Sequence, residues 1–201
     1  MTGTVQLALR LLPDTRHVAL ILGSSPQVES FAHPRLMLER EPSRGPGCVV
    51  MDLRMPELNG LELQQELHRV GWTQPIVFIS AHGDVPTAVR AMKAGAVDFL
   101  PKPVTTEEIL AAVEQALERN KVARATEQEH EELRARFSTL SPREAQVCRL
   151  VAEGLLNKQI AAELGTAEQT VGQQRRSVMA KLSVTSVAEL ARLLERLDQE
   201  P

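Results

Sequence analysis

The sequence predicts two domains of different class: an α/β domain with a five-stranded parallel sheet and, after a long helical linker, an all-α domain. Residues 1–104 alternate short apolar runs with segments of helical periodicity, which is the pattern of βαβ units around a parallel sheet. Residues 105–139 contain neither Gly nor Pro. The rest shows helical patterns separated by Gly and by capping residues. We expect the boundaries 1–104, 105–137 and 138–201.

Five strands and four helices are predicted in the first domain. The third and fourth strands are apolar on both faces, as in a sheet that is covered on both sides. The first strand is ambiguous, because the run TVQLALRLL also fits a helix. The predicted strands are Thr4–Leu9, Gln27–Phe31, Cys48–Asp52, Pro75–Ser80 and Ala96–Leu100. The predicted helices lie near Asp14–Leu22, Pro34–Arg40, Gly60–Val70 and Val85–Ala94.

Composition excludes several classes of protein. The net charge of −3 indicates no bulk affinity for nucleic acid, and only residues 138–182 lean basic, with six basic and four acidic side chains. Cys48 and Cys148 lie in apolar settings and are predicted to be buried free thiols, and no Cys or His cluster suggests zinc. No apolar run approaches ~18 residues, so we expect no membrane span and a reducing cytoplasm.

The Gly- and Pro-free segment predicts one continuous helix. It begins with TTEE, a capping residue followed by acids, which suits a helix N-terminus. Its later apolar residues, Val122, Leu133 and Phe137, are too sparse for coiled-coil heptads. We therefore favour a solvated helical linker over a coiled coil, and it would extend for about 50 Å at 1.5 Å per residue.

Four helices are predicted in the second domain. Ser141 and Pro142 begin the first, and Gly154 ends it. A short helix, NKQIAAEL, is closed by Gly165, and Thr166 is the predicted cap of a third helix that runs to Leu182. A fourth covers Thr185–Leu197. Two short helices joined by a tight glycine turn form a helix-turn-helix.

The third helix has two distinct sides. At 100° per residue, Val171, Val178 and Leu182 fall on one side, the predicted core side. The opposite side carries Gln169, Gln173 and Arg176, and the flank carries Thr170, Gln174, Ser177 and Lys181. Gln and Arg form paired hydrogen bonds with adenine and guanine edges, whereas small hydroxyls, Gln and Lys suit phosphates. A simply solvated face is the alternative, but the helix-turn-helix and the scarcity of acids favour DNA reading.

The last 60 residues resemble the LuxR/NarL-type DNA-binding domain. The matching motifs are LSPRE, VAEGLLNKQIAAELG, the TV that opens the reading helix and the MAKL that closes it. The resemblance implies homodimerisation on double-stranded DNA through the fourth helix. It implies base contacts from Gln173 and Arg176, and phosphate contacts from Asn157, Lys158, Thr170, Gln174 and Lys181.

Three residues on this helix qualify the expectation. Gly172 stands where the family usually has a long basic residue, and Gln174 stands where it usually has His. Both changes predict weaker or altered operator reading. Arg175 points nearer the core side, so we expect an internal ion pair for it rather than a base contact.

Three polar residues follow predicted strands in the first domain. Asp52 ends the apolar run CVVMD, Ser80 ends PIVFIS, and Lys102 lies just beyond AVDFL. Taken singly, each is more simply explained as a loop cap or a surface residue. On three successive βα loops they would meet at the carboxyl edge of the sheet, where a metal, an ammonium group and a hydrogen-bond donor can stabilise a phosphoryl group.

The stretch from Cys48 to Pro103 resembles the receiver domain of FixJ-type two-component response regulators, carried by DLRMPELNG and SAHGDVPTAVRAMKAGAVDFLPKP. The resemblance implies a flavodoxin-like fold and a sensor histidine kinase as partner. It implies that Asp52 accepts the phosphoryl group, that Ser80 and Lys102 contact its oxygens, and that Phe99 is the switch aromatic. It further implies a cis bond before Pro103.

The family's magnesium site is in doubt. The acidic pair that holds magnesium with the aspartate is expected at Leu9 and Arg10, an aliphatic residue and a cation. Asp52 and the Arg54 carbonyl alone form a meagre site, although magnesium keeps several waters. Arg10 either lies at the surface or forms an ion pair with Asp52, and we favour the ion pair.

Three functional hypotheses remain. The first is an atypical response regulator that barely uses magnesium-dependent phosphorylation. The second is a conventional phosphorylation switch with a weakened metal site, and the third is a protein-interaction module with vestigial DNA binding. An enzyme is not expected, because no nucleophile–base pair and no nucleotide-binding glycine loop is found.

Overall fold

The structure, a computed structural model, describes residues 18–22, 27–42, 45–55, 57–81 and 84–198. The predicted first strand, Thr4–Leu9, and the residues of the expected acidic pair, Leu9 and Arg10, lie outside these residues. Among the residues described, no helix is both long enough and apolar enough to cross a bilayer.

The first domain contains a sheet of the predicted flavodoxin-like class, but the prediction that all five strands are parallel is wrong, because the first strand of the described sheet pairs antiparallel with both of its neighbours. The strands are β1 (Val18–Leu22), β2 (Gln27–Phe31), β3 (Gly47–Asp52), β4 (Ile76–Ser80) and β5 (Asp98–Pro101), in the order β2-β1-β3-β4-β5. The last three strands are parallel, with Val50 beside Val77 and Phe78 beside Phe99. Their carboxyl ends therefore share one edge of the sheet.

Strand β1 corrects a prediction. Residues 18–22 were expected to end a helix that begins near Asp14, but they form a strand that is antiparallel to both β2 and β3. The run VALIL has only five apolar residues, and periodicity alone does not separate strand from helix at that length. Only four residues separate β1 from β2, which suits an antiparallel pair, because a parallel crossover needs a dozen residues or more.

The remaining elements of this domain agree with the predictions to within a few residues. The helices are α1 (Pro34–Leu38), α2 (Gly60–Arg69) and α3 (Val85–Lys93). Strand β5 begins at Asp98 rather than Ala96. Helix α2 begins with a capping box in which Asn59 and Glu62 each bind the backbone N–H of the other at 3.0 Å, which fixes where the helix starts after β3.

Each face of the sheet is covered by its own apolar cluster. Along β3, Val49 and Met51 belong to the cluster under α1, α2 and α3, whereas Cys48 and Val50 belong to the opposite cluster. Alternate residues of a strand point to opposite faces, so both faces must be apolar. Cys48 and Cys148 are free and buried, as predicted, and burial raises the pKa of Cys48 to about 12 and that of Cys148 to about 11.

The predicted helical linker is one helix, α4 (Thr106–Ser138). Its first part packs apolar side chains against the sheet, and these are Ile109, Ala112, Val113 and Ala116. Asn120 is buried on the same side and accepts a hydrogen bond from the backbone N–H of Gly47 at 3.0 Å. The chain divides into two compact units, residues 1–124 and 125–201, so α4 contributes to both.

The second unit confirms the predicted helix-turn-helix. Its further helices are α5 (Pro142–Ala152), α6 (Asn157–Glu163), α7 (Glu168–Lys181) and α8 (Val187–Asp198). Helix α5 begins at Ser141 with a full capping box, as the sequence predicts. Thr166 is not the cap of the third helix, because α7 begins at Glu168 and Ala167 occupies the N-cap position without a side-chain hydrogen bond.

Candidate functional site

Asp52 is a buried carboxylate at the end of β3. Its residue is 8% exposed. One carboxylate oxygen, Oδ2, accepts a hydrogen bond from Lys102 Nζ at 2.9 Å, and Oδ1 accepts the backbone N–H of Arg54 at 2.9 Å. A buried charge is tolerated when it is both paired and hydrogen-bonded. The lysine and the amide together therefore hold the aspartate in one orientation.

Ser80 and Lys102 lie at the same edge as Asp52. Ser80 ends β4 and is 1% exposed. The backbone N–H of Lys102 donates to the carbonyl of Ser80 at 2.8 Å, which fixes the loop after β5 against the end of β4. The bond between Lys102 and Pro103 is cis, as predicted. The structure thus brings the three residues predicted from successive βα loops to one end of the sheet.

Phe99 and Gly60 support this edge from the core side. The Phe99 ring is half-buried and lies 6.3 Å from the Phe78 ring, centroid to centroid, with a tilt of 40°. Gly60 donates its N–H to the carbonyl of Leu53 at 2.8 Å. A Cβ atom at Gly60 would lie 2.8 Å from the carbonyl oxygen of Asp52 and 2.8 Å from Phe78 Cε1. The sequence predicts Gly60 only as the first residue of a helix and gives no sign of its close contact with Asp52.

The described residues include only part of the positions that form the family's magnesium site. They contain no group of three or more His, Cys, Asp or Glu side chains that could hold a metal ion. Asp52 and the Arg54 carbonyl are the candidate ligands, and both oxygens of Asp52 already accept hydrogen bonds. Leu9 and Arg10 lie outside the residues that the structure describes.

In the second unit, α7 carries its polar residues away from the core. Val171, Val178 and Leu182 are no more than 1% exposed, so the predicted core side of the helix is the buried one. The predicted DNA-contacting residues differ in exposure. Lys158, Gln169, Gln173, Arg176 and Lys181 are exposed, whereas Asn157, Thr170 and Gln174 are half-buried. The oxygen of the Gln174 amide is buried and has no hydrogen-bond partner within the described part of the chain.

Lys181 has an internal partner that the sequence did not indicate. Its Nζ donates to Glu144 Oε2 at 2.7 Å and to the carbonyl of Thr139 at 3.0 Å. Glu144 also accepts the Ser177 hydroxyl at 2.6 Å and the backbone N–H of Ser141 at 2.8 Å. The carboxylate therefore fastens the end of α7 to the start of α5, and it orients the reading helix.

These contacts make acid stability depend on Glu144. The hydrogen bond from Lys181, followed by those from Ser177 and Ser141, lowers the pKa of Glu144 from 4.5 to about 2. A carboxyl whose pKa is lower in the folded state stabilises the fold above about pH 4.5, and this contribution is lost as the pH falls towards 2. We expect Glu144→Gln to flatten the pH dependence of the melting temperature between pH 4.5 and 2. Thermal unfolding by circular dichroism measures this, with Glu153→Gln, on the exposed end of α5, as control. An unchanged slope in the Glu144 variant would contradict the assignment.

Arg175 also binds inside the domain, although its partner is not the expected one. The sequence predicted an ion pair, but its guanidinium donates to the Oδ1 atom of Asn157 at 3.2 Å. An amide neutralises no charge, so the guanidinium keeps its full positive charge. This contact joins α7 to the first residue of α6, the two helices of the helix-turn-helix.

Comparison with known families assigns both halves of the chain. The model of the response regulator receiver domain matches residues 16–114, and that of the luxR family of bacterial regulatory proteins matches residues 138–194. The receiver match begins after Leu9 and Arg10, so it does not cover the two positions expected for the acidic pair.

Relatives match both halves together. Nodulation protein W of Bradyrhizobium diazoefficiens is 48% identical over 171 residues, which are 85% of this chain and 75% of that protein. Response regulator protein TodT of Pseudomonas putida is 44% identical over 170 residues (85% and 75%), and transcriptional regulatory protein FixJ of B. diazoefficiens is 40% identical over 169 residues (84% and 82%).

The solved structure of response regulator StyR matches 83% of this chain and 84% of its own, with 47% identity and a TM-score of 0.74. The buried Asp52–Lys102 pair thus lies in a receiver domain, and the polar face of α7 lies in a LuxR-type domain. The chain belongs to the two-component response regulators that join a receiver domain to a LuxR-type DNA-binding domain and regulate transcription.

Proposed function

We propose that this response regulator reads double-stranded DNA with the exposed face of α7, and that its receiver pocket works with little or no help from magnesium. The single observation that carries the pocket proposal is that both oxygens of Asp52 already accept a hydrogen bond within the protein. The carboxylate is buried, one oxygen is paired with Lys102 and the other accepts the N–H of Arg54. A metal would have to displace or share these donors.

The proposed DNA contacts follow the exposure of the side chains. Gln173 and Arg176 would read base edges, with Gln169 beside them on the same exposed side. Asn157, Lys158, Thr170, Gln174 and Lys181 would contact phosphates. Lys181 would do so with the one N–H that Glu144 and Thr139 leave available, since an ammonium group has three donors.

In the pocket, Asp52 would be the phosphoryl acceptor. Lys102 and Ser80 would stabilise the phosphoryl oxygens. Phe99 would be the switch aromatic that responds to phosphorylation of Asp52. Leu9 and Arg10 would replace the family's acidic pair. A carboxylate normally holds magnesium together with other oxygen ligands, and a cation such as Arg10 would oppose it.

The broader assignment follows from these roles. We propose residues 1–104 as the receiver domain, 105–137 as its last helix and the linker, and 138–201 as the DNA-binding domain. A homodimer would form on DNA through α8, where Leu193, Leu194 and Leu197 are only half-buried. A sensor histidine kinase is the proposed partner, and the cytoplasm is the proposed location. We propose no reaction on an external substrate.

A conventional phosphorylation switch is the second candidate. The observation that favours it is the 2.9 Å contact between Lys102 and Asp52, together with Ser80 at the same sheet edge. The same residues could stabilise an aspartyl phosphate if a metal were supplied.

The two candidates differ in what Asp52 controls. If the pocket does not act through phosphorylation, Asp52→Asn should change DNA affinity less than twofold, because the substitution keeps the shape of the side chain. Fluorescence anisotropy of the full chain on a labelled duplex measures this, with circular dichroism as the folding control. The conventional switch would instead be supported by two results together. Acetyl phosphate would raise the DNA affinity of the unmodified chain about tenfold, and Asp52→Asn would abolish this increase.

A further inference from the structure

Helix α7 has an open groove on one flank of its reading face. The groove lies beside Gly172, and it is bordered by Asn157, Arg175 and Arg176, with Glu168 at the start of the helix. Gly172, which has no side chain, forms part of its wall. A Cβ atom there would lie 3.7 Å from Asn157 Nδ2, an ordinary contact, so a longer side chain would extend into the groove.

The groove is positively charged. Two arginines and one glutamate border it, which gives a net charge of +1. The Arg175 guanidinium donates to Asn157 Oδ1 at 3.2 Å and forms no ion pair with any residue that the structure describes. A guanidinium has five N–H donors in a planar fork that matches phosphate oxygens. Most donors of Arg175 therefore stay available, and the hydrogen bond that Arg175 donates to Asn157 limits where they point.

We propose that this groove binds a phosphate of the DNA backbone, with Arg175 as the cation that binds it and Gly172 as the residue that keeps the groove open. The inference rests on the proposed DNA reading by α7 and adds a contact to it. Glycine is the residue that lets another molecule approach a backbone closely. The resemblance to the family indicated only that Gly172 removes the contact of a long basic residue. In this proposal the glycine also makes room for a phosphate to reach Arg175.

The assignment separates the two neighbouring arginines. Both arginines border the groove, but Arg176 is exposed on the face predicted to read bases, whereas Arg175 lies 100° away around the helix and is held by Asn157. A phosphate contact carries no sequence information. Arg175 should therefore contribute equally to binding of every duplex, and its contribution should fall as salt rises.

The experiment measures affinity of the full chain for a fluorescein-labelled 24-bp duplex of arbitrary sequence by anisotropy, over a series of NaCl concentrations. Arg175→Ala should weaken binding about tenfold, as expected for one charge-assisted hydrogen bond. It should also reduce the slope of log K against log salt by about 0.9, the value for one phosphate. Arg175→Lys, which keeps the charge, should keep the salt slope.

Substitutions at Gly172 test the groove from its other side. Gly172→Gln should fill it and weaken binding about as much as Arg175→Ala, whereas Gly172→Ala should weaken binding less than Gly172→Gln does, because its Cβ atom fits. Once the groove is filled, Arg175→Ala should have no further effect. Glu168→Gln should strengthen binding, since it removes the one acid of the groove. Circular dichroism verifies that each variant is folded.

The outcomes distinguish this inference from the proposed function. If the unmodified chain binds the duplex but folded Arg175→Ala binds with the same affinity and salt slope, the groove proposal is wrong and DNA reading by α7 stands. Additive losses in the double variant Gly172→Gln/Arg175→Ala would also overturn the groove. If the unmodified chain does not bind the duplex even at low salt, the proposed function fails and the groove proposal fails with it.

Discussion

Gly60→Ala should destabilise the receiver domain by about 1–3 kcal/mol, the usual cost of forcing an extra methyl group into a packed site. The new Cβ atom would lie 2.8 Å from the carbonyl oxygen of Asp52, 2.8 Å from Phe78 Cε1 and 3.1 Å from the Leu53 Cα atom. Two of these three neighbours are backbone atoms, which cannot rotate away. The strain would fall on the end of β3, the segment that positions the carboxylate.

Urea unfolding of the full chain, followed by circular dichroism, measures this loss in the transition of the receiver domain. Gly172→Ala is the matched control, because its Cβ atom has no neighbour closer than 3.7 Å. Alanine there should stabilise helix α7 by up to about 1 kcal/mol. A Gly60 variant with an unchanged midpoint would show that β3 and α2 do not pack as described.

Arg176→Ala should cost about 1–3 kcal/mol of binding free energy on the preferred operator and should relax sequence preference. Arg176 is exposed and has no partner within the described part of the chain. A guanidinium in this setting can form two hydrogen bonds with the O6 and N7 atoms of a guanine. The operator is first obtained by selection from random duplexes, and affinities are then measured by anisotropy on the operator and on a random duplex.

Lys158→Ala is the matched control for Arg176→Ala. Lys158 is exposed and has no internal partner among the described residues, so its loss should weaken binding to both duplexes equally and reduce the salt slope by about 1. Lys181 is a poorer control, because its substitution would also release Glu144. Equal losses from the Arg176 and Lys158 variants on both duplexes would contradict base reading by Arg176.

The sequence predicted the parts of the fold that local chemistry determines. The capping box at Ser141, the Gly- and Pro-free run of α4 and the doubly apolar strands β3 and β4 all appear as expected. Each of these depends on residues that are close together in the sequence, so pattern and spacing are sufficient to find them.

Other features depend on residues that are distant in the sequence. The run at 18–22 was assigned to a helix, because five apolar residues fit either structure and only pairing with β2 and β3 selects a strand. The partner of Arg175 was expected to be an acid, but the residue that α6 presents to it is Asn157. Glu144 likewise meets Lys181 across 37 residues of sequence. No local pattern contains these contacts.

The candidate pocket was predicted in part from the sequence. Asp52, Ser80 and Lys102 were predicted to meet because the carboxyl ends of parallel strands share one edge, and they do. The sequence did not predict the individual contacts of Asp52. In the structure, Lys102 contacts one carboxylate oxygen directly and the backbone N–H of Arg54 binds the other.

Phosphorylation with acetyl phosphate tests whether the Asp52 pocket depends on magnesium. An anionic phosphoryl donor that approaches Asp52 needs positive charge to offset repulsion between like charges. Lys102 supplies one charge and already contacts the carboxylate at 2.9 Å. A magnesium ion would supply two more and would orient the phosphoryl oxygens, but under the proposed function Leu9 and Arg10 stand at the positions expected for the acidic pair that would hold it.

The measurement is the rate at which acetyl phosphate labels the full chain with and without magnesium, followed by intact-protein mass spectrometry, with Asp52→Asn as the unlabelled control. We expect slow labelling or none, and no acceleration by magnesium. The double variant Leu9→Asp/Arg10→Asp should gain magnesium-dependent labelling. Rapid, magnesium-dependent labelling of the unmodified chain at Asp52 would contradict the account and would make the protein a conventional phosphorylation switch.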